Sequence, residues 1–114
     1  MKQDKRFKLI ASCENGEETI EMTKQLCPDI VIMDIKMRGM SGIEATQLIR
    51  ENCPAAKIIG LSFHIQQDYA EKMMQNGAMG YLSKISPPDE IYKAIIEVQQ
   101  GRTYICEEVA NELL

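Results

Sequence analysis

Asp29-Ile30-Val31-Ile32-Met33-Asp34 is the stretch that decides the fold of this chain. Four apolar residues run without alternation between two aspartates, and the first three are β-branched. A run of this kind predicts a strand covered on both faces, as the strands of parallel sheets are. Lys57-Ile58-Ile59-Gly60-Leu61-Ser62 is a second run of the same type. Ala78-Met79-Gly80-Tyr81-Leu82-Ser83 predicts a shorter strand downstream. Lys8-Leu9-Ile10-Ala11-Ser12 predicts one upstream, ended by the turn residues Glu14-Asn15-Gly16.

The segments between these runs read as helices. Glu17–Cys27 spaces Ile20, Met22, Leu26 and Cys27 for one helix face, and Pro28 stops it. Ile43–Asn52 tracks Ile43, Thr46 or Gln47, and Ile49 along one side before Cys53-Pro54. Gln66–Gln75 is closed by Asn76-Gly77. Ser86-Pro87-Pro88-Asp89 opens a last long helix with proline in its first turn. Ile91, Ala94, Ile95 and Val98 form its apolar face and Gly101 ends it. Glu107–Leu114 predicts a further helical start. The order β-α-β-α-β-α-β-α predicts an α/β protein, with a doubly wound parallel sheet of about four strands and helices on both faces.

The composition narrows the function. The 114 residues are enough for one domain, and 45% of them are apolar, so a real core can form. The formal charge of −4, from 17 acidic and 13 basic residues, gives no dense basic patch for nucleic acid or a membrane surface. The four cations of Lys2–Lys8 read as an exposed tail. Cysteines at 13, 27, 53 and 106 fit neither CxxC nor a zinc pattern, and His64 is the single histidine. Scattered cysteines and eight methionines suit a reducing compartment. The first residues carry no signal-peptide pattern and no run approaches the ~18–20 apolar residues of a membrane span, so the cytoplasm is expected. No GxGxxG or GxxxxGK[ST] loop and no acid/base pair points to an enzyme.

In an open parallel sheet the chemistry lies at the carboxyl ends of the strands. Asp34 ends one predicted strand, Ser62 ends the next, and Lys84 follows the third. A carboxylate can act as nucleophile toward phosphorus and form an acyl phosphate. An ammonium can neutralise phosphate oxygens, and a hydroxyl can hydrogen-bond one of them. Each residue alone reads as a cap or a surface charge. Three of them at consecutive strand ends read as a site.

These residues carry a resemblance. Asp34-Ile35-Lys36-Met37-Arg38-Gly39-Met40-Ser41-Gly42 resembles the phospho-acceptor loop of response-regulator receiver domains. Ile59-Gly60-Leu61-Ser62 is similar to their switch-hydroxyl strand. Asn76-Gly77-Ala78-Met79-Gly80-Tyr81-Leu82-Ser83-Lys84 resembles the segment with their switch aromatic and lysine. The resemblance runs from about Leu9 to Leu114 and implies a flavodoxin-like fold. It implies an aspartyl phosphate on Asp34, received from a histidine kinase or a small phosphodonor. Ser62 would move toward the phosphoryl group, Lys84 would pair with it, and Tyr81 would turn inward. Ser86-Pro87-Pro88-Asp89-Glu90 and Gly101-Arg102-Thr103-Tyr104-Ile105 resemble NarL/FixJ-type regulators, in which a helix-turn-helix domain reads DNA. Residues 1–104 are then a receiver domain, and 105–114 begin the linker toward such an output domain.

The chain also departs from the family. It starts at what resembles the second strand, so the usual first strand and helix, with an acidic pair, are not seen. The resemblance leaves Asp34 and the backbone carbonyl of Lys36 as Mg²⁺ ligands, a weakened site for an ion that prefers six oxygens. An apolar strand edge exposed at Asp29–Asp34 implies either that the Lys8–Ser12 strand moves across to pair there or, the favoured reading, that two chains complete each other as a homodimer or a swapped assembly. Arg38 stands where proline is common, and Phe63 where a small residue is usual. His64 reads as an exposed loop residue. Two functions remain open: a transcription-regulating switch phosphorylated at Asp34, or a receiver-like interaction module that takes no phosphate.

Overall fold

The computed structural model describes residues 15–34, 41–62 and 67–106, and for 67–69 the backbone alone. The strand expected at Lys8–Ser12, the helical start at Glu107–Leu114, and Glu14, Lys36, Arg38, Phe63 and His64 lie outside the described residues. Eight elements follow in order: α1 (Gly16–Leu26), β1 (Ile30–Asp34), α2 (Gly42–Asn52), β2 (Lys57–Ser62), α3 (Gln67–Gln75), β3 (Gly80–Ser83), α4 (Pro88–Gln99) and β4 (Tyr104–Ile105). Among the described strands the pairings are parallel, in the order β1-β2-β3-β4. The expected α/β fold is therefore present, with helices on both faces.

The two faces follow from strand alternation. Met33, Gly60 and Tyr81 are register partners in one row across β1, β2 and β3. The Thr46 hydroxyl of α2 lies 3.9 Å from the Met33 sulfur and 3.5 Å from the Met73 sulfur, which puts α2 and α3 over that row. The next row out of phase includes Ile59, Gly80 and Tyr104. Tyr104 donates to Glu90 of α4, which puts α4 over the opposite face. Ile58 and Ile59, adjacent on β2, are both fully buried, one under each helical layer.

β1 corrects the reading of its sequence. Val31 and Met33 are buried, but Ile32 between them is 36% exposed. Among the described elements α4 packs mainly on β2, β3 and β4, while β1 lies at the margin of the described sheet. The apolar run was right about a strand and wrong about cover on both faces.

α1 differs too. Asn15 caps it, accepting from the Glu18 N–H at 2.8 Å, with Glu17 and Glu18 favourable at the positive helix end. Its inner face is Gly16, Thr19, Ile20 and Thr23, whereas Leu26 and Cys27 are exposed. The threonines are buried at little cost because their hydroxyls donate back to the helix, Thr19 to the Asn15 carbonyl at 2.8 Å and Thr23 to the Thr19 carbonyl at 2.6 Å. α2 starts at Ser41, whose hydroxyl accepts from the Glu44 N–H, and buries Ala45, Thr46 and Ile49, with Ile43 half-buried. α3 ends at Gln75, and Gly77 turns the chain after it with a φ of +106° that suits glycine. Ala94, Ile95 and Val98 of α4 are buried as expected.

β4 was not expected. Its two residues pair with β3, the Tyr104 N–H reaching the Met79 carbonyl at 2.9 Å and the Cys106 N–H the Tyr81 carbonyl at 3.1 Å. A two-residue strand has no periodicity to read.

Candidate phosphoryl-acceptor site

Parallel pairing sets the site. Asp34 is the last residue of β1 and Ser62 the last of β2, and Lys84 follows β3 directly. The Lys84 N–H donates to the Ser62 carbonyl at 2.8 Å, so the turn that carries the lysine is tied to the end of β2. From there the Lys84 ammonium reaches across and donates to Oδ2 of Asp34. The two residues are 50 apart in sequence, and only the sheet brings them together. The side chains of Lys84 and Asp34 are 24% and 33% exposed. The pair is thus partly shielded and still in reach of solvent.

The sheet edge brings Asp34, Ser62 and Lys84 together, as the strand-end rule predicted. Ser62 is buried. Tyr81 is fully buried, three residues before Lys84 in the same strand-and-turn segment. Lys36 lies outside the described residues. Sequence reasoning missed Ser83. It is buried, is the register partner of Ser62, and accepts from the Ile85 N–H at 3.2 Å, which helps hold the turn presenting Lys84. Its place directly before the lysine was the available signal.

For a divalent cation the described residues supply one suitable donor, the Asp34 carboxylate. No group of three or more His, Cys, Asp or Glu side chains converges anywhere among the described residues. A half-exposed carboxylate oxygen fits Mg²⁺ as a single ligand with water completing the shell.

Away from this edge, Tyr104 titrates abnormally. Burial, then the hydrogen bond to Glu90 and the negative charge of that carboxylate, push its phenol up to about 12. The Lys93 ammonium sits 6.0 Å from the same ring.

The chain belongs to the response regulator receiver domain family, which matches residues 1–96. Response regulator UvrY of Escherichia coli (strain K12) is 36% identical over 109 residues, which are 96% of this chain and 50% of that protein. Transcriptional regulatory protein DegU of Brevibacillus brevis is 34% identical over 108 residues, 95% of this chain and 46% of that one. Among solved structures, a LuxR-family two-component response regulator from Aurantimonas sp. SI85-9A1 superimposes with a TM-score of 0.88 at 34% identity. It covers 92% of this chain and 75% of that chain. The chain thus spans about half the length of these curated relatives. Receivers of this family serve two-component signalling, meet histidine kinases and output domains, and bind Mg²⁺ at the phosphorylation site. No described helix is long and apolar enough to cross a membrane.

Proposed function

We propose that this receiver is switched by phosphorylation of Asp34. The observation that carries the reading is the Lys84–Asp34 pair on the carboxyl edge of the sheet. A carboxylate oxygen of Asp34 attacks the phosphorus of a phosphohistidine on a histidine kinase, or of a small phosphodonor. The bond from phosphorus to the leaving group breaks, its electron pair stays with that group, and an acyl phosphate remains on Asp34. Lys84 then shifts from the carboxylate toward the phosphoryl oxygens and offsets their charge. The Ser62 hydroxyl donates to one of those oxygens, and Tyr81 responds. Asp34 and the backbone carbonyl of Lys36 would hold Mg²⁺ with water, and the ion would supply further charge neutralisation there.

In the whole protein, the receiver runs through β4 and the buried Cys106, two residues past the boundary expected at 104, and the residues beyond lead toward a helix-turn-helix domain that alone contacts DNA to regulate transcription. The names of the relatives support this reading. The exposed Ile32 on a marginal strand supports a homodimer or a swapped assembly. Such a protein works in the cytoplasm as a switch and not as an enzyme.

Intact mass after incubation with acetyl phosphate, with and without Mg²⁺, tests the proposal. A metal-dependent phosphoryl adduct that disappears in Asp34→Asn is the expected result. No adduct from a folded chain under either condition would overturn it and leave an interaction module.

A further inference from the structure

Gly60 lies in the middle of β2, where a glycine weakens a strand and marks a close approach. Its backbone does not require glycine. The positive-φ residues among those described are Cys27, Gly77 and Gly101. The reason is space. A Cβ at Gly60 would lie 2.9 Å from Met73 Cε, 3.2 Å from Tyr81 Cδ2 and 3.5 Å from Tyr81 Cε2. Gly60 and Tyr81 are register partners on adjacent parallel strands, so their side-chain positions share one face. The Tyr81 ring leans into the volume that a side chain at position 60 would fill, and is 0% exposed there. Met73, also fully buried, closes the other side. It is itself held by Thr46, whose hydroxyl lies 3.5 Å from its sulfur and donates to the Gly42 carbonyl at 2.7 Å.

We infer that Gly60 is a positioning residue, the seat that holds the Tyr81 ring inside the α2–α3 face and ties it to the strand carrying Ser62. Gly60 precedes Ser62 by two residues, and Tyr81 precedes Ser83, the register partner of Ser62, by the same two. Seat and site hydroxyl therefore share one strand and one face. The inference rests on the proposed function only in treating Ser62 as part of the site.

The test uses the full chain with its four tyrosines replaced by 3-fluorotyrosine, and the Tyr81 fluorine resonance assigned with Tyr81→Phe. A soluble gadolinium chelate broadens resonances near solvent. The wild-type Tyr81 resonance is expected to resist broadening, and in Gly60→Val to broaden several-fold more. Valine favours strands, so a lost seat and not a lost strand is being measured. Urea unfolding supplies the second readout. Gly60→Val lowers the midpoint in the wild type, but leaves it unchanged or raises it in a Tyr81→Ala background, where the competing ring is gone. Equal protection of Tyr81 in wild type and Gly60→Val would overturn the inference. So would an equal loss of midpoint in both backgrounds. If Gly60→Val alone does not fold, Gly60→Val with Tyr81→Ala still decides: a folded double variant supports the seat and an unfolded one overturns it. Neither readout involves phosphoryl transfer, so the seat stands or falls separately from the role of Asp34.

Discussion

Two ion pairs in this molecule differ in what brings them together. Arg102 and Glu97 meet at 2.5 Å, five residues apart, where the end of α4 turns toward β4. Local backbone geometry puts them in reach, and the arginine side chain is 61% exposed. Asp34 ends β1 and Lys84 lies in the turn after β3, 50 residues on, and the two meet only if β1, β2 and β3 pair in the observed register. A local exposed pair follows from the chain path and contributes little. A pair that needs the whole sheet, at the edge where parallel sheets place their chemistry, points to a site.

The strongest way to break this contrast is to remove each cation in turn. Lys84→Ala is expected to slow phosphoryl-adduct formation on Asp34 about 100-fold, the usual cost of losing one charge stabiliser. Arg102→Ala should leave that rate unchanged. Equal rates for Lys84→Ala and the wild type, followed by mass spectrometry over time, would remove the distinction between the pairs.

A smaller effect sharpens the α4–β4 side. Folding pushes the Tyr104 phenol from 10.0 up to about 12, so the native state favours its neutral form. The resulting stabilisation is full below about pH 10 and is lost as the pH rises through about 12. The urea midpoint of the wild type should therefore fall more steeply over that range than the midpoint of Tyr104→Phe. Parallel curves would show that Tyr104 titrates alike in both states.

The smallest effect belongs to the exposed pair itself. Arg102→Ala should cost about 0.2–1 kcal/mol in urea unfolding, and less at high salt. A loss of several kcal/mol, insensitive to salt, would mean that this pair is part of the fold's frame.

Much of the fold was legible because its signals are local. β2 was read with its observed ends, Lys57 and Ser62, since an apolar run bounded by polar residues needs no partner to be recognised. α2 differed by one residue at its start, because Ser41 caps it and Gly42 is already helical. Asp34, Ser62 and Lys84 could be grouped before any distance was known, because the strand-end rule converts order along the chain into place on an edge. Burial was less legible. Ile32 and Ile59 look alike in sequence, yet one is 36% exposed and the other fully buried. Thr23 looked polar and is buried, because its hydroxyl is satisfied by the Thr19 carbonyl. Burial of this kind depends on which element packs above a residue and on what its polar atoms find there.

The sequence by itself determined the kinds and order of the elements from α1 to α4 and the three chemical groups at the strand ends. Hydrophobic period, caps and turn residues act over a few positions and can be read without the rest of the chain. Tertiary structure alone decided that β4 exists, that α4 leaves Ile32 partly uncovered, and that Tyr81 lies in the space of a missing side chain at Gly60. Each of these is set by contacts between segments distant in sequence, and close packing, not local preference, chooses among the arrangements open to them.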